Sequence, residues 1–253
     1  MALSSDQIER YSRHILLKEI GGQGQQKLLN ARILVVGAGG LGSPALLYLA
    51  AAGIGTIGIV DDDQISLSNL QRQILYKTGQ VGQNKLEGAA AHISGLNPDV
   101  KIIPHQLRLA DKNAAALIAD YDLILEGVDN FQTRYALNEA CIAVKKPLIS
   151  AAVGRFEGQV ATFKPYSAPG TLPCYRCLVP QEPPRDEQIN CDEEGILGVV
   201  TGVVGTLAAT EALKEILGLG TSLAGRLLIY SALDSQLRTV KLNADPDCPD
   251  CGL

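Results

Sequence analysis

The sequence predicts an α/β fold in which a doubly wound, mostly parallel sheet continues into a C-terminal antiparallel extension. Three observations carry that expectation. Between residues 31 and 155 short β-branched apolar runs alternate with helical patterns, the rhythm of successive βαβ units. Beyond residue 156 the rhythm gives way to QVATFKP and RLLIYSALDSQLRTVKL, which read as a single strand and a hairpin. Finally, the chain is 46% hydrophobic with no Trp and only 4% aromatic residues. Its core therefore rests on Ala, Val, Ile and Leu, which suits helices packed on a buried parallel sheet.

Taken in order, Ser4 and Ser5 precede apolar residues at Ile8, Tyr11, Ile15 and Leu16. That spacing predicts a capped amphipathic helix ending near Gly21-Gly22, then a short helix from about Gln25 to Asn30. ARILVVG is the first strand, and SPALLYLAAAG the helix after it, stopped by Gly53. TIGIVDDD is the second strand, Asn84 to Leu96 a helix, KIIPHQLRL the third strand and Lys112 to Ala119 a short helix. DLILEGVD, FQTRYALNEACIAV and KPLISAAV complete the alternation as strand, helix and strand. PCYRC reads as part of a Pro-rich turn, and VVTGVVGTLAATEALKEILG as a buried helix carrying small residues. The expected organisation is one domain over 1-253, with an N-terminal helical arm (1-30), a first half (31-155) and an antiparallel half (156-253). Residues 180-197 lack apolar periodicity and read as a long, mobile crossing loop.

The net charge of −5 argues against binding a phosphate backbone, which needs a clustered basic face, so nucleic acid is excluded as an expected partner. No signal-peptide pattern and no apolar run of membrane-spanning length is present, which predicts a cytoplasmic chain with no membrane partner.

The segment VVGAGGLGSP raises the functional question. Its glycines, among them Gly39, Gly40 and Gly42, allow a tight turn that aims helix N-terminal N–H groups at a phosphate. Asp61 follows at the end of the next strand, where an acid meets a ribose hydroxyl. The turn alone does not separate a nicotinamide dinucleotide from ATP. The residues expected around it do: Asn69, Arg72 and Gln73 in SNLQRQ, Lys85 at a helix start, and Asp129-Asn130 after the fourth strand. An Arg and a Lys neutralise phosphate oxygens and a carboxylate holds Mg²⁺, equipment that fits a triphosphate better than a pyrophosphate. The bland alternatives are a solvated Lys85 and an Asp129 that merely caps the next helix.

Four of the six cysteines form two Cys-x-x-Cys pairs, Cys174/Cys177 and Cys248/Cys251. That set fits a closed Cys₄ zinc knuckle with no open coordination position, hence a structural role. Cys141, in ACIAV, reads as a core residue.

GAGGLG, DDDQISLSNLQRQ, VGQNK, GVDNFQTR, PCYRC and CPDC occur here in the order found in the MoeB/ThiF family, and the chain resembles that family from about Arg10 to its end. The resemblance implies a Rossmann-like fold and ATP-dependent adenylation of the C-terminal glycine of a small ubiquitin-like sulfur-carrier protein, with release of pyrophosphate. Molybdopterin cofactor synthesis is the expected pathway, and the thiazole carrier of thiamine synthesis the alternative. It implies that Gly39, Gly40 and Gly42 lie beneath the phosphates and that Asp61 binds the ribose. Asn69, Arg72 and Lys85 would contact phosphates, and Asp129, beside Asn130, would meet Mg²⁺. Arg13, in RYSRH, matches an arginine inserted into the partner subunit's site, so a homodimer is implied. The second half would carry both zinc and the carrier, whose tail ends in Gly-Gly. No rhodanese-like domain follows the cysteines in these residues, which leaves sulfur to a separate donor protein. Cys191, in NCDEEG, resembles the crossover-loop cysteine that some ThiF-like members use in sulfur transfer; its other reading is an incidental thiol. A nicotinamide-dependent oxidoreductase would leave Arg72, Lys85 and the paired cysteines without purpose. A non-catalytic nucleotide-binding adaptor is the third reading, weakened by the full set of charged residues. His14, His92 and His105 are expected to stand outside the chemistry.

Overall fold

A computed structural model describes residues 3–184 and 195–252. The sheet is built from β1 (Arg32–Val36), β2 (Thr56–Val60), β3 (Lys101–His105), β4 (Leu123–Glu126), β5 (Leu148–Val153), β6 (Glu157–Phe163), β7 (Arg226–Ser231) and β8 (Gln236–Lys241), in the order β3-β2-β1-β4-β5-β6-β7-β8. The first five run parallel and the last three join antiparallel, as expected.

Burial follows the pleat. In β1, Ile33 and Val35 face one layer, together with α4 (Gly42–Ala52), α5 (Lys85–Leu96) and α9 (Gly198–Leu217), while Leu34 and Val36 face the other, with α6 (Asp111–Ala119) and α7 (Phe131–Ala143). Because both faces are covered, the strand reads as an unbroken apolar run rather than an alternating one. Each fully buried Ile or Leu contributes about 1.5–3 kcal/mol relative to exposure. The long α9 packs its small residues, Gly205, Ala208 and Ala212, against α4 and the sheet; a Cβ at Gly205 would lie 2.4 Å from the Leu41 carbonyl oxygen.

Register sets the carboxyl edge. Val36 pairs with Val60 on one side and with Glu126 on the other, and Glu126 pairs with Ser150. The residues that follow each strand, Gly37, Asp61 and Gly127, therefore emerge at one level. Since β1 lies between β2 and β4, the winding reverses beside it, and a crevice opens at that switch point.

The N-terminal arm departs from expectation. The apolar spacing predicts one helix; the chain instead forms α1 (Ser5–Arg10), α2 (Ser12–Ile15) and α3 (Gly21–Asn30). Ser4 does cap α1, in a capping box with Gln7. The break follows from packing: Tyr11 is buried, whereas Ile8, Leu16 and Leu17 are 51%, 71% and 49% exposed, so no apolar stripe holds a straight helix down. The Tyr11 ring lies on Gly53, whose φ of 84° ends α4, and its hydroxyl accepts a 2.8 Å hydrogen bond from Asn97 Nδ2. Gly21-Gly22 opens α3 rather than closing the first helix, and PCYRC contains a short helix, α8 (Tyr175–Leu178). Residues 185–194, which hold Cys191 and most of the predicted crossing loop, lie outside the described residues. No helix among the described residues is long and apolar enough to cross a membrane.

Candidate active site

The crevice is a cavity of about 820 Å³. Its wall includes Gly39, Gly40, Asp61, Asn69, Arg72, Gln73, Lys85, Asp129 and Asn130, so the structure gathers the predicted residues from separate stretches of the chain. Two predicted residues stand apart. Arg13, on α2, does not line the cavity. Gly42 is not on the wall either: it is the first residue of α4, and a Cβ there would meet the Gly37 carbonyl oxygen at 1.9 Å. The absence of a side chain there permits the close packing of helix on strand.

The glycine turn is held from both sides at Ala38. Its N–H donates to Asp61 Oδ2 at 2.8 Å, and its carbonyl accepts from the Tyr76 hydroxyl at 2.9 Å. Burial and the nearby Asp61 and Asp63 push the Tyr76 phenol well above its usual range, so it remains the donor. Asp61 Oδ1 accepts from the Asp63 N–H at 2.9 Å. Each carboxylate oxygen retains acceptor capacity for a sugar hydroxyl.

Lys85 is not a solvated surface lysine. Asn84 caps α5 by accepting from the Leu86 N–H at 2.8 Å, which places Lys85 at the first helical position. Its side chain is 4% exposed, and the ammonium donates to Asp63 Oδ2 at 2.8 Å and lies 3.8 Å from Asp61. The carboxylates of Asp61, Asp62 and Asp63 crowd within 4.8 Å, and Lys85 offsets their repulsion. Asn69 and Arg72 act as a unit, with the guanidinium donating to Asn69 Oδ1 at 3.2 Å.

Asp129 is exposed on the cavity wall, and it is Asn130, not Asp129, that caps α7, accepting from the Thr133 N–H at 2.9 Å. The capping alternative for Asp129 is thereby taken by its neighbour. An exposed carboxylate at this place could hold Mg²⁺, which in the presence of a polyphosphate takes one or two carboxylates completed by phosphate oxygens and water. The histidines lie elsewhere: His14 pairs with Gln25, His92 with the Leu75 carbonyl and His105 with the Tyr121 hydroxyl.

Sequence reading missed the layer beneath Asp129. Glu126 is fully buried and Arg134 is 9% exposed; Glu126 Oε2 lies 3.7 Å from Arg134 Nε. Charged residues at a strand end and on a helix read as surface groups until the fold brings them together.

The four paired cysteines form a second centre, away from the cavity. Sγ separations are 3.9 Å for Cys174–Cys177, 3.6 Å for Cys174–Cys248 and 3.4 Å for Cys177–Cys251, and all four sulfurs lie within 4.8 Å of one another. Four thiolates at about 2.3 Å around a tetrahedral zinc stand about 3.8 Å apart, so the set fits that ion. The tail is also fastened by Asp250, which accepts from Arg176 Nε and Asn138 Nδ2, each at 2.7 Å. Cys251→Ser is expected to lower zinc content and thermal stability together; unchanged metal stoichiometry by elemental analysis would contradict this. Cys141 is buried in α7, and its thiol is pushed up by burial, as a core residue requires.

Fold and site together define a doubly wound α/β protein with a nucleotide-type crevice and a separate four-cysteine centre. A model described as the ThiF family matches residues 11–250, and the chain belongs to that family. It is 46% identical to the SAMP-activating enzyme E1 of Haloferax volcanii, covering 100% of this chain and 92% of that protein. It is 44% identical to the sulfur carrier protein adenylyltransferase of Thermus thermophilus, covering 100% of this chain and 93% of the other. Identity to the probable adenylyltransferase/sulfurtransferase MoeZ of Mycobacterium tuberculosis is 47% over 98% of this chain, which spans 63% of that protein. Among solved structures, E. coli MccB with ATP superposes with a TM-score of 0.80 at 25% identity, covering 96% of this chain and 75% of that one.

Proposed function

We propose that this protein catalyses ATP-dependent adenylation of the C-terminal glycine carboxylate of a small ubiquitin-like sulfur carrier. The observation that carries this reading is the cavity itself, where the glycine turn and Asp61 share one wall with Arg72, Lys85 and Asp129. A carboxylate oxygen of the carrier attacks the α-phosphorus, the bond to the β-phosphate oxygen breaks, and pyrophosphate leaves with the released charge. Both reactants are anionic, so catalysis depends on cations fixed where negative charge builds up. Arg72 and Lys85 supply two of them, and N–H groups of the glycine turn receive phosphate oxygens. Asp129 would hold Mg²⁺, which screens the phosphates. Arg13 of a second copy supplies the remaining cation in a homodimer, in keeping with its place outside its own cavity. The name of the Thermus relative, a sulfur carrier protein adenylyltransferase, supports adenylation of a carrier.

The antiparallel half, β6 to β8, is the surface we assign to the carrier. Zinc held by Cys174, Cys177, Cys248 and Cys251 fastens the tail to α8 and takes no part in the reaction. Molybdopterin synthesis is the pathway we assign, with sulfur delivered by a separate donor protein.

Carrier-dependent ATP–pyrophosphate exchange in Mg²⁺ tests the reading, with Gly-Gly-terminated carriers supplied one at a time and NAD binding followed in parallel. Exchange with the molybdopterin carrier is the expected result, and exchange with the thiazole carrier alone would reassign the pathway. Tight NAD binding with no exchange for any carrier would overturn the reading.

A further inference from the structure

The loop Gly127–Asn130 is held by Glu126, beneath the cavity, and by Arg134, which also reaches its wall. Glu126 Oε2 accepts the Val128 N–H at 3.1 Å, and Arg134 donates to the Val128 carbonyl at 2.6 Å, so one residue's backbone is gripped at both ends. The same Arg134 nitrogen reaches the Ala151 carbonyl at 3.2 Å, and Ser150 donates its hydroxyl to Glu126 Oε1. On the other side, Asn130 is committed to the α7 cap. Asp129 thus stands between two pinned neighbours while its own side chain lines the cavity.

We propose that the buried Glu126–Arg134 pair positions Asp129, fixing the orientation in which its carboxylate meets the Mg²⁺ of the bound nucleotide. The inference rests on the adenylation reading and adds two residues to it. A buried ion pair is a poor source of stability, because apolar groups of the same volume often serve as well. What apolar groups do not do is hold a peptide N–H and a carbonyl at fixed angles. Groups that orient a metal-binding carboxylate without touching the metal commonly matter to its affinity. A planar guanidinium is well matched to this arrangement, since it faces two carbonyls and a carboxylate at once, which an ammonium does not. Burial opposes the charge on Arg134, but Glu126, Tyr175 and Asp129 together outweigh it and the pKa is raised, so the grip persists across the working pH range.

Calorimetric titration of ATP into the whole protein, in EDTA and in Mg²⁺, tests this apart from turnover. Arg134→Lys keeps the charge and loses the fork. ATP affinity in EDTA is expected to match wild type, while the gain in affinity on adding Mg²⁺ falls about tenfold, as in Asp129→Asn. A folded Arg134→Lys protein with the full Mg²⁺ gain overturns the proposal. If that variant does not fold, Glu126→Gln carries the same test, since an amide does not hold both the Val128 N–H and the guanidinium through one carboxylate. Failure of both to fold assigns the pair to the fold alone and also overturns it. A wild-type protein with no Mg²⁺ gain, or Asp129→Asn with all of it, overturns instead the role given to Asp129, and the two failures are thereby distinguished.

Discussion

Arg13→Ala is expected to slow carrier adenylation by about 10³-fold or more while leaving thermal stability and ATP affinity close to wild type. The reasoning is geometric. Arg13 sits on α2 and does not line the cavity of its own chain. Its neighbours are nevertheless fixed: Tyr11 is buried against Gly53 and bonded to Asn97, and His14 is 3.0 Å from Gln25, whose amide donates to the Ala52 carbonyl at 2.9 Å. These contacts tie the arm to the last turn of α4 and leave Arg13 at the surface, as a residue that serves a second copy must be. Mixing Arg13→Ala with Lys85→Ala protomers then supplies a further check. Random re-pairing gives mixed dimers with one intact site each, restoring about a quarter of wild-type activity. No recovery on mixing, with re-pairing verified, would remove Arg13 from the partner's site.

Lys85→Ala is the second large effect, an expected loss of about 10²–10³ in kcat, the range for removing one fixed electrostatic donor from a reaction centre. The cost to the fold is expected to be on the order of 3 kcal/mol, because the side chains of Lys85 and Asp61 are both buried and the three crowded carboxylates lose the cation that offsets them. A folded variant with near-normal kcat in the exchange assay would show that Lys85 serves only to neutralise the three aspartates.

Much of this was legible in the sequence, for physical reasons that can be named. Strands buried on both faces declare themselves as apolar runs, so RILVV and TIGIV were readable as parallel strands. The crevice was readable because its charged residues cluster where strands end and helices begin, and register brings those ends to one level. Paired cysteines at metal spacing are equally local signals. The missed features depend on partners that the local pattern does not reveal. The arm breaks at Tyr11, whose ring is buried on Gly53 and whose hydroxyl accepts from Asn97, many residues on, while Ile8, Leu16 and Leu17 stay exposed. Gly42 matched the fingerprint by position, and the fold adds a partner the pattern does not name, the Gly37 carbonyl that a Cβ there would strike. Arg134, the last residue of GVDNFQTR, received no role of its own, because nothing local reveals that Glu126 and the Val128 and Ala151 carbonyls surround it.

The most direct test of the central claim is a single turnover of the whole protein with ATP labelled at the α-phosphate and its carrier, quenched in acid and read by intact mass. Adenylation predicts AMP attached to the carrier's terminal glycine, labile to hydroxylamine and absent without Mg²⁺. Label remaining in ATP, or found on the enzyme while the carrier mass is unchanged, would contradict the account.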